Sequence, residues 1–184
     1  MKCLQIISSK TIEKIAKLRI GEKKLSQVVQ YLNKPGDLLD RINDPQIKFV
    51  IFGIKEDIGV LANNGRPGAR EIWDYVLKAL FNIQSNKYTN ASNILVLGHL
   101  DFSDLYASHT SINTEKTLMT YRKQVETIDQ NVNQLVYTIV KAGKTPIVVG
   151  GGHNNAYGII KGCALAMKTK INAINFDALS LIHI

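Results

Sequence analysis

The chain has 184 residues and a formal net charge of +8, and 45% of its residues are hydrophobic while 21% are charged. This composition is typical of a globular protein and too apolar for a disordered one, and the length suits one compact domain or part of one. No apolar run approaches the roughly 18 residues of a membrane-spanning helix, and the N-terminus lacks a signal-peptide core. We therefore expect a cytoplasmic protein without a membrane partner.

The basic charge does not by itself predict a nucleic-acid partner. The lysines are scattered over amphipathic segments, and only Lys23 and Lys24 are adjacent lysines. No aromatic residues interleave with them to form a stacking surface for bases. Cys3 and Cys163 lie far apart, so neither a disulfide framework nor a zinc site is indicated. We interpret the basic residues as solvated helix faces and expect no binding of nucleic acid.

The first part of the chain predicts a helical lead-in. Apolar residues keep helical spacing from Ile12 to Leu18 and again from Leu25 to Leu32, and a Lys-Pro-Gly-Asp turn follows. We place this lead-in at residues 1–44 and an α/β domain at residues 45–184.

Strands and helices alternate along that second part. Short β-branched and aromatic runs predict strands at 47–53, 94–98, 145–150 and 171–176. Apolar periodicity predicts intervening helices at 69–80, at about 121–142, and after the glycine run that ends at Gly152. In the last of these helices, the apolar spacing predicts that Ile160 and Met167 are among the residues of the inner face. A long loop separates the first of these strands from its helix. Alternation of this kind predicts a parallel sheet with helices on both faces.

Two polar residues follow predicted strands at the edge where ligands collect in parallel sheets. His153 comes after the third of these strands and Asp177 ends the fourth. Imidazole and carboxylate together suit Mn²⁺ or a similar divalent ion. Two residues are nevertheless a weak signal by spacing alone, because such a histidine and aspartate also serve as hydrogen-bonded loop residues or helix caps.

The residues around these positions strengthen the metal interpretation. VVGGGHNNAYG from Val148 and INAINFDA from Ile171 resemble two metal-binding motifs of the ureohydrolase superfamily, which includes arginase, agmatinase and formimidoylglutamase. The loop EDIGVLANNGRPGAR from Glu56 resembles the glycine-rich loop of the formimidoylglutamase type. The resemblance covers residues 48–178. His153 matches the first metal ligand of the family, and Asp177 matches the first aspartate of its second motif.

The resemblance implies an arginase-like α/β fold, of which residues 45–184 would form the N-terminal part, incomplete at the C-terminus. It also implies two manganese ions and a bridging hydroxide that attacks the carbon of a small-molecule amidine or guanidine. No organic cofactor is implied, the catalytic residues stay unassigned, and a homo-oligomer is compatible with the sequence.

The chain departs from the family pattern after Ala178. The pattern continues with His, any residue and Asp, whereas this chain has Leu179, Ser180 and Leu181, and a later Asp-x-Asp motif has no counterpart. So few ligands do not fix the geometry of two divalent ions. We therefore expect an inactive fragment of a manganese-dependent hydrolase, with an altered or misread terminus. A genuine short paralogue that has lost hydrolysis is the other explanation.

Two further functions are compatible with the residues. The chain could be a non-catalytic α/β remnant, or it could bind an anion such as phosphate at Gly150–Gly152, between a strand and a helix N-terminus. The glycine spacing fits neither the dinucleotide fingerprint nor the P-loop, which counts against nucleotide binding.

Other polar residues in the loops carry weaker signals. Arg66 is a candidate for binding a substrate carboxylate; the alternative is that the loop arginines are solvated or pair with Glu56 or Asp57. A second polar group follows the second strand of the α/β domain but shows no metal-ligand spacing, and we interpret it as loop; its members are His99, Asp101, Asp104 and His109.

Overall fold

A computed structural model of the chain describes residues 2–88, 91–106 and 115–176. The strands are β1 (Leu4–Ile6), β2 (Gln30–Tyr31), β3 (Phe49–Lys55), β4 (Ile94–Asp101) and β5 (Thr145–Val149). The α-helices are α1 (Ser9–Ile15), α2 (Leu38–Ile42), α3 (Ile58–Ala62), α4 (Ile72–Asn82), α5 (Ser103–Tyr106), α6 (Glu115–Lys141) and α7 (Asn155–Met167). Short 3-10 turns lie at Leu25–Gln27, Pro35–Asp37 and Ala69–Glu71. In the described part of the chain, no helix is both long and apolar enough to cross a membrane.

The strands form one mixed, mostly parallel sheet. Its order is β1-β4-β3-β5, and β2 also pairs with β4. Strands β2, β3 and β5 run parallel to their partners, while β1 pairs with β4 in the antiparallel sense. Helices cover both faces, so the predicted α/β class is confirmed, with one antiparallel strand added at an edge.

Alternate residues of the central strand β3 supply two separate cores, as the two-residue period of a strand requires. Val50, Phe52 and Ile54 pack on the face covered by α6. Ile51 points to the opposite face, where α4 lies with its buried Trp73. The ring of Trp73 occupies the space that a side chain at Gly53 would fill. The strand is therefore buried on both faces, which explains its continuous apolar sequence.

The predicted helical lead-in contains two strands that its periodicity did not indicate. β1 and β2 are only three and two residues long, too short to show a pattern of their own. Within the predicted long loop after β3, the chain also forms the short helix α3. The predicted helices at 69–80 and 121–142 appear as α4 and α6, each with bounds shifted by a few residues or extended.

Helix α7 packs on α6 through two buried glycines. A methyl group on Gly158 would lie 3.0 Å from the carbonyl oxygen of Asp129, and one on Gly162 would lie 2.8 Å from that of Asn133. Ile160 and Met167, which the apolar pattern assigned to the inner face, are instead 40% and 58% exposed. Small residues thus set the contact between these helices, and larger apolar residues lie on the outer surface.

The strand predicted at 171–176 is wrong: these residues pair with no described strand. Ile174 is 83% exposed and Phe176 is 96% exposed. A strand with apolar residues on both faces is stable only where layers cover both faces. The edge strand β5 is itself only partly covered, with Ile147 40% exposed. A further apolar strand beside β5 would therefore not be covered on both faces.

Candidate functional site at the carboxyl ends of β3 and β5

The sheet topology creates a crevice between β3 and β5. The chain passes from β3 through α4 on one face to β4, and then through α6 on the other face to β5, which lies on the far side of β3. Loops leaving β3 and β5 therefore diverge, and this reversal point is where open α/β sheets bind ligands. The loop after β3 begins at Glu56, and the loop after β5 contains Gly150–Gly152 and His153.

The glycine turn after β5 has a backbone that other residues would not adopt without strain. Gly150 and Gly151 have φ angles of +82° and +76°, in the left-handed region that favours glycine. A side chain on Gly151 would approach within 2.5 Å of the Nδ2 atom of Asn155, and one on Gly152 would collide with Asn154. The three glycines allow the turn to lie against its neighbours and place His153 just before α7.

Glu56 is the fully buried anion of this crevice. Its side chain is 0% exposed, and Oε1 accepts hydrogen bonds from the backbone N–H of Gly152 at 2.8 Å and from Nδ2 of Asn155 at 2.5 Å. Oε2 accepts a third bond, at 3.1 Å, from the backbone N–H of Gly59. The carboxylate thus joins the loop after β3 to the turn after β5.

This arrangement bears on anion binding by the glycine turn. A helix N-terminus with free N–H groups attracts anions, but the N–H of Gly152 already donates to Glu56. The protein's own carboxylate therefore already accepts from an N–H group that an outside phosphate would need. The geometry therefore gives no support to the anion-binding alternative.

Asp57, the next residue, fixes the other end of the loop. Its Oδ1 accepts a hydrogen bond from the backbone N–H of Arg70 at 2.9 Å, and its Oδ2 lies 3.9 Å from the Nε atom of that arginine. The Arg70 guanidinium also lies 5.2 Å from the ring centroid of Tyr106. Arg70 therefore pairs with Asp57, as one of the two alternatives for the loop arginines predicted.

His153 lies at the rim of a cavity of about 830 Å³ between α3, α6 and α7. The cavity walls are mainly apolar, with Val60 and Val125 among them, and Arg122 and Asp129 add charge. Burial, followed by the negative charge of Glu56, raises the pKa of Asp129 to about 6. His153 itself is exposed, so its imidazole is accessible to a ligand in the cavity.

The structure brings together only part of the predicted site. His153 lies in the crevice, but Asp177 falls outside the described residues, as does His109. Arg66 is exposed and is not among the residues that line the His153 cavity. Within the described ranges, no three His, Cys, Asp or Glu side chains form a group that could hold a metal ion. The described residues therefore do not by themselves fit a two-manganese centre.

Two members of the polar group at the end of β4 line a separate cleft of about 480 Å³. His99 and Asp101 line it together with Lys55, whose Nζ lies 2.6 Å from Oδ2 of Asp74. Burial and the positive charge of Lys55 lower the pKa of His99. None of these residues lines the His153 cavity.

Sequence reasoning missed the residues that organise the crevice. The sequence pattern indicates Glu56 only as a partner of a loop arginine, and it gives no signal for Asn155 or Asp129. The available signal was the position of Glu56, directly after a strand buried on both faces, where an ionised side chain requires partners. Two of its three partners, Gly152 and Asn155, are 96 and 99 residues away, so the sequence alone does not identify them.

Comparisons with known proteins agree on one family. A family model described as the arginase family matches residues 47–179. A formimidoylglutamase of Geobacillus sp. (strain WCH70) is 31% identical over 132 residues, covering 71% of this chain and 35% of that protein. A formimidoylglutamase of Streptococcus gordonii is 26% identical over 163 residues, covering 84% of this chain and 41% of that protein.

One solved structure supports the fold. The crystal structure of Trypanosoma cruzi formiminoglutamase with Mn²⁺ superimposes with a TM-score of 0.50 at 18% identity, covering 79% of this chain and 41% of that chain. This likeness concerns the fold alone. The chain spans between 35% and 41% of the length of these three relatives.

Proposed function

Because the chain belongs to the arginase family, we propose that it is part of a hydrolase that cleaves a C–N bond in a linear amidine, as a formimidoylglutamase does. The observation that carries this proposal is the position of His153. It follows a three-glycine turn at the reversal point of the sheet, in the stretch that resembles the family's first metal motif. The names of the curated relatives support an amidine rather than a peptide substrate.

For metal binding, we propose that His153 and Asp177 are ligands of manganese. His153 is accessible from the cavity, and imidazole with carboxylate suits this ion. Among the described residues, His153 contributes the imidazole of this proposed site. Arg66 stays a proposed contact for a substrate carboxylate. It is exposed and does not line the His153 cavity.

We further propose that this chain alone hydrolyses the substrate poorly. Leu179, Ser180 and Leu181 stand where the family pattern has His, any residue and Asp, and apolar side chains do not replace metal ligands. A cytoplasmic location and the absence of nucleic-acid binding stay predictions from the sequence.

A gain-of-function variant tests the metal proposal. Leu179→His combined with Leu181→Asp restores the two ligand types in the family register. We expect it to bind Mn²⁺ at least about tenfold more tightly than the unmodified chain, roughly 1.4 kcal/mol, as measured by the free-Mn²⁺ signal in electron paramagnetic resonance. Adding His153→Ala to this variant is expected to remove the gain.

A matched control places the same residue types out of register. Ser180→His combined with Ile182→Asp introduces the same groups one position later and is expected to leave Mn²⁺ affinity unchanged. Equal gains in both double variants would indicate nonspecific binding and contradict the proposal. Hydrolysis of N-formimidoyl-L-glutamate, followed as released glutamate, is expected to stay at the metal-free background in the unmodified chain. Robust manganese-dependent turnover there would show that the ligand set is already sufficient.

A further inference from the structure

We propose that Glu56 is a positioning residue for His153, because its buried carboxylate acts as an internal anion that fixes the turn carrying this histidine. For metal binding, the inference rests on the function proposed above. The hydrogen bonds that carry the inference do not depend on that proposed function.

The first argument is the environment of the carboxylate. Taking an ionised carboxylate out of water is strongly unfavourable unless other groups replace its hydration. Glu56 is fully buried, and no described lysine or arginine forms an ion pair with it. Three N–H donors, from Gly59, Gly152 and Asn155, replace the water. Two of these donors lie at the start of α7, where the positive end of the helix dipole favours a negative charge.

The second argument is which backbone segments the donors belong to. Gly59 lies in α3, after β3, whereas Gly152 and Asn155 flank His153 on either side. The side chain of Asn155 also donates to the carbonyl oxygen of Gly152 at 2.9 Å, closing the turn on itself. The backbone just before His153 and the side chain two residues after it are thus tied to the same oxygen of Glu56.

The third argument is how closely the backbone of Gly152 approaches the carboxylate of Glu56. A side chain on Gly152 would lie 3.3 Å from Oε1 of Glu56 and 3.2 Å from Cγ2 of Val60. The glycine therefore permits the close approach of the backbone to the carboxylate. If the carboxylate is lost, Gly152 has a buried N–H without an acceptor, and the turn must open to find water.

The experiment compares Glu56→Met with Asp57→Asn. Methionine has a side chain of similar length to that of glutamate but no oxygen atom, so Gly59, Gly152 and Asn155 all lose their acceptor. Asp57→Asn alters the adjacent buried carboxylate, which accepts a hydrogen bond from the backbone N–H of Arg70. Asn155→Ala is a second variant that removes one donor and leaves Glu56 in place.

The readout is amide hydrogen exchange by NMR, together with the ring resonances of His153. We expect Glu56→Met and Asn155→Ala to speed exchange at Gly152 by at least about tenfold relative to amides of β4 in the same sample, and to shift the His153 ring signals. We expect Asp57→Asn to lower overall stability without either local change.

Three results would overturn the inference: no change in the turn, a uniform loss of protection that includes β4, or the same local change in Asp57→Asn. The manganese titrations described above are independent of these outcomes. If the turn loosens as expected but Leu179→His combined with Leu181→Asp brings no gain in Mn²⁺ affinity, the positioning role stands and the metal proposal fails.

Discussion

The contact between α6 and α7 makes a quantitative prediction for Gly162→Ala. The added methyl carbon would lie 2.8 Å from the carbonyl oxygen of Asn133 and 2.9 Å from Cβ of Val136, whereas carbon atoms in good contact lie about 3.5–4.0 Å apart. The helices must therefore move apart or accept strain, and overpacking of this kind costs about 1–3 kcal/mol. Alanine returns up to about 1 kcal/mol through its higher helix propensity.

We therefore expect Gly162→Ala to lower the free energy of unfolding by about 1–2 kcal/mol, or the melting temperature by roughly 2–8 °C for a chain of this size. Urea denaturation followed by the fluorescence of Trp73, the single and fully buried tryptophan, measures this change. Gly36→Ala is the matched control, because a methyl group there meets no atom within 4 Å. The reasoning is refuted if the Gly162 variant is as stable as the Gly36 variant.

Two other substitutions test the electrostatics and the second core. Burial raises the pKa of Asp129 to about 6 from 3.8, so stability from this group is complete below pH 3.8 and is lost as the pH rises through 6. The Asp129→Asn variant does not lose this stability, so its urea midpoint should rise relative to that of the unmodified chain as the pH increases from 4.5 to 7.5. A difference between the two midpoints that stays constant over this range would contradict the assignment. Phe81→Ala removes a fully buried ring that lies edge-on to Tyr31, with centroids 5.8 Å apart. It should destabilise the chain by about 3–5 kcal/mol, whereas a loss below about 1 kcal/mol would indicate that the α4 face is loosely packed.

The central strands and long helices could be predicted from the sequence because their apolar pattern reports burial directly. β3 is buried on both faces and shows a continuous apolar run. The buried residues of α6, from Ile128 to Ile139, keep the spacing of a single helix face. The wrong prediction at 171–176 has the same origin. A run of apolar residues shows what a segment could bury, whereas pairing depends on neighbours that the segment itself does not specify.

The candidate site was predictable only where its residues have a recognisable pattern in the neighbouring sequence. His153 was found because it follows three consecutive glycines, and glycine runs mark turns of unusual geometry. The role of Glu56 was not predictable, because its partners are two backbone N–H groups and one amide, and backbone donors carry no residue signature. The helix contact at Gly158 and Gly162 was missed for a related reason, since the periodicity of large apolar residues assigned the inner face of α7 to Ile160 and Met167 instead.

The most direct test of the central claim is to map Mn²⁺ binding on the unmodified chain by paramagnetic broadening of its NMR signals. If the crevice between β3 and β5 is the metal-binding edge, low Mn²⁺ concentrations should selectively broaden the signals of Gly152, His153 and Asn155, and His153→Ala should abolish the effect. Broadening centred on His99 and Asp101 in the neighbouring cleft, or none that depends on His153, would contradict the account.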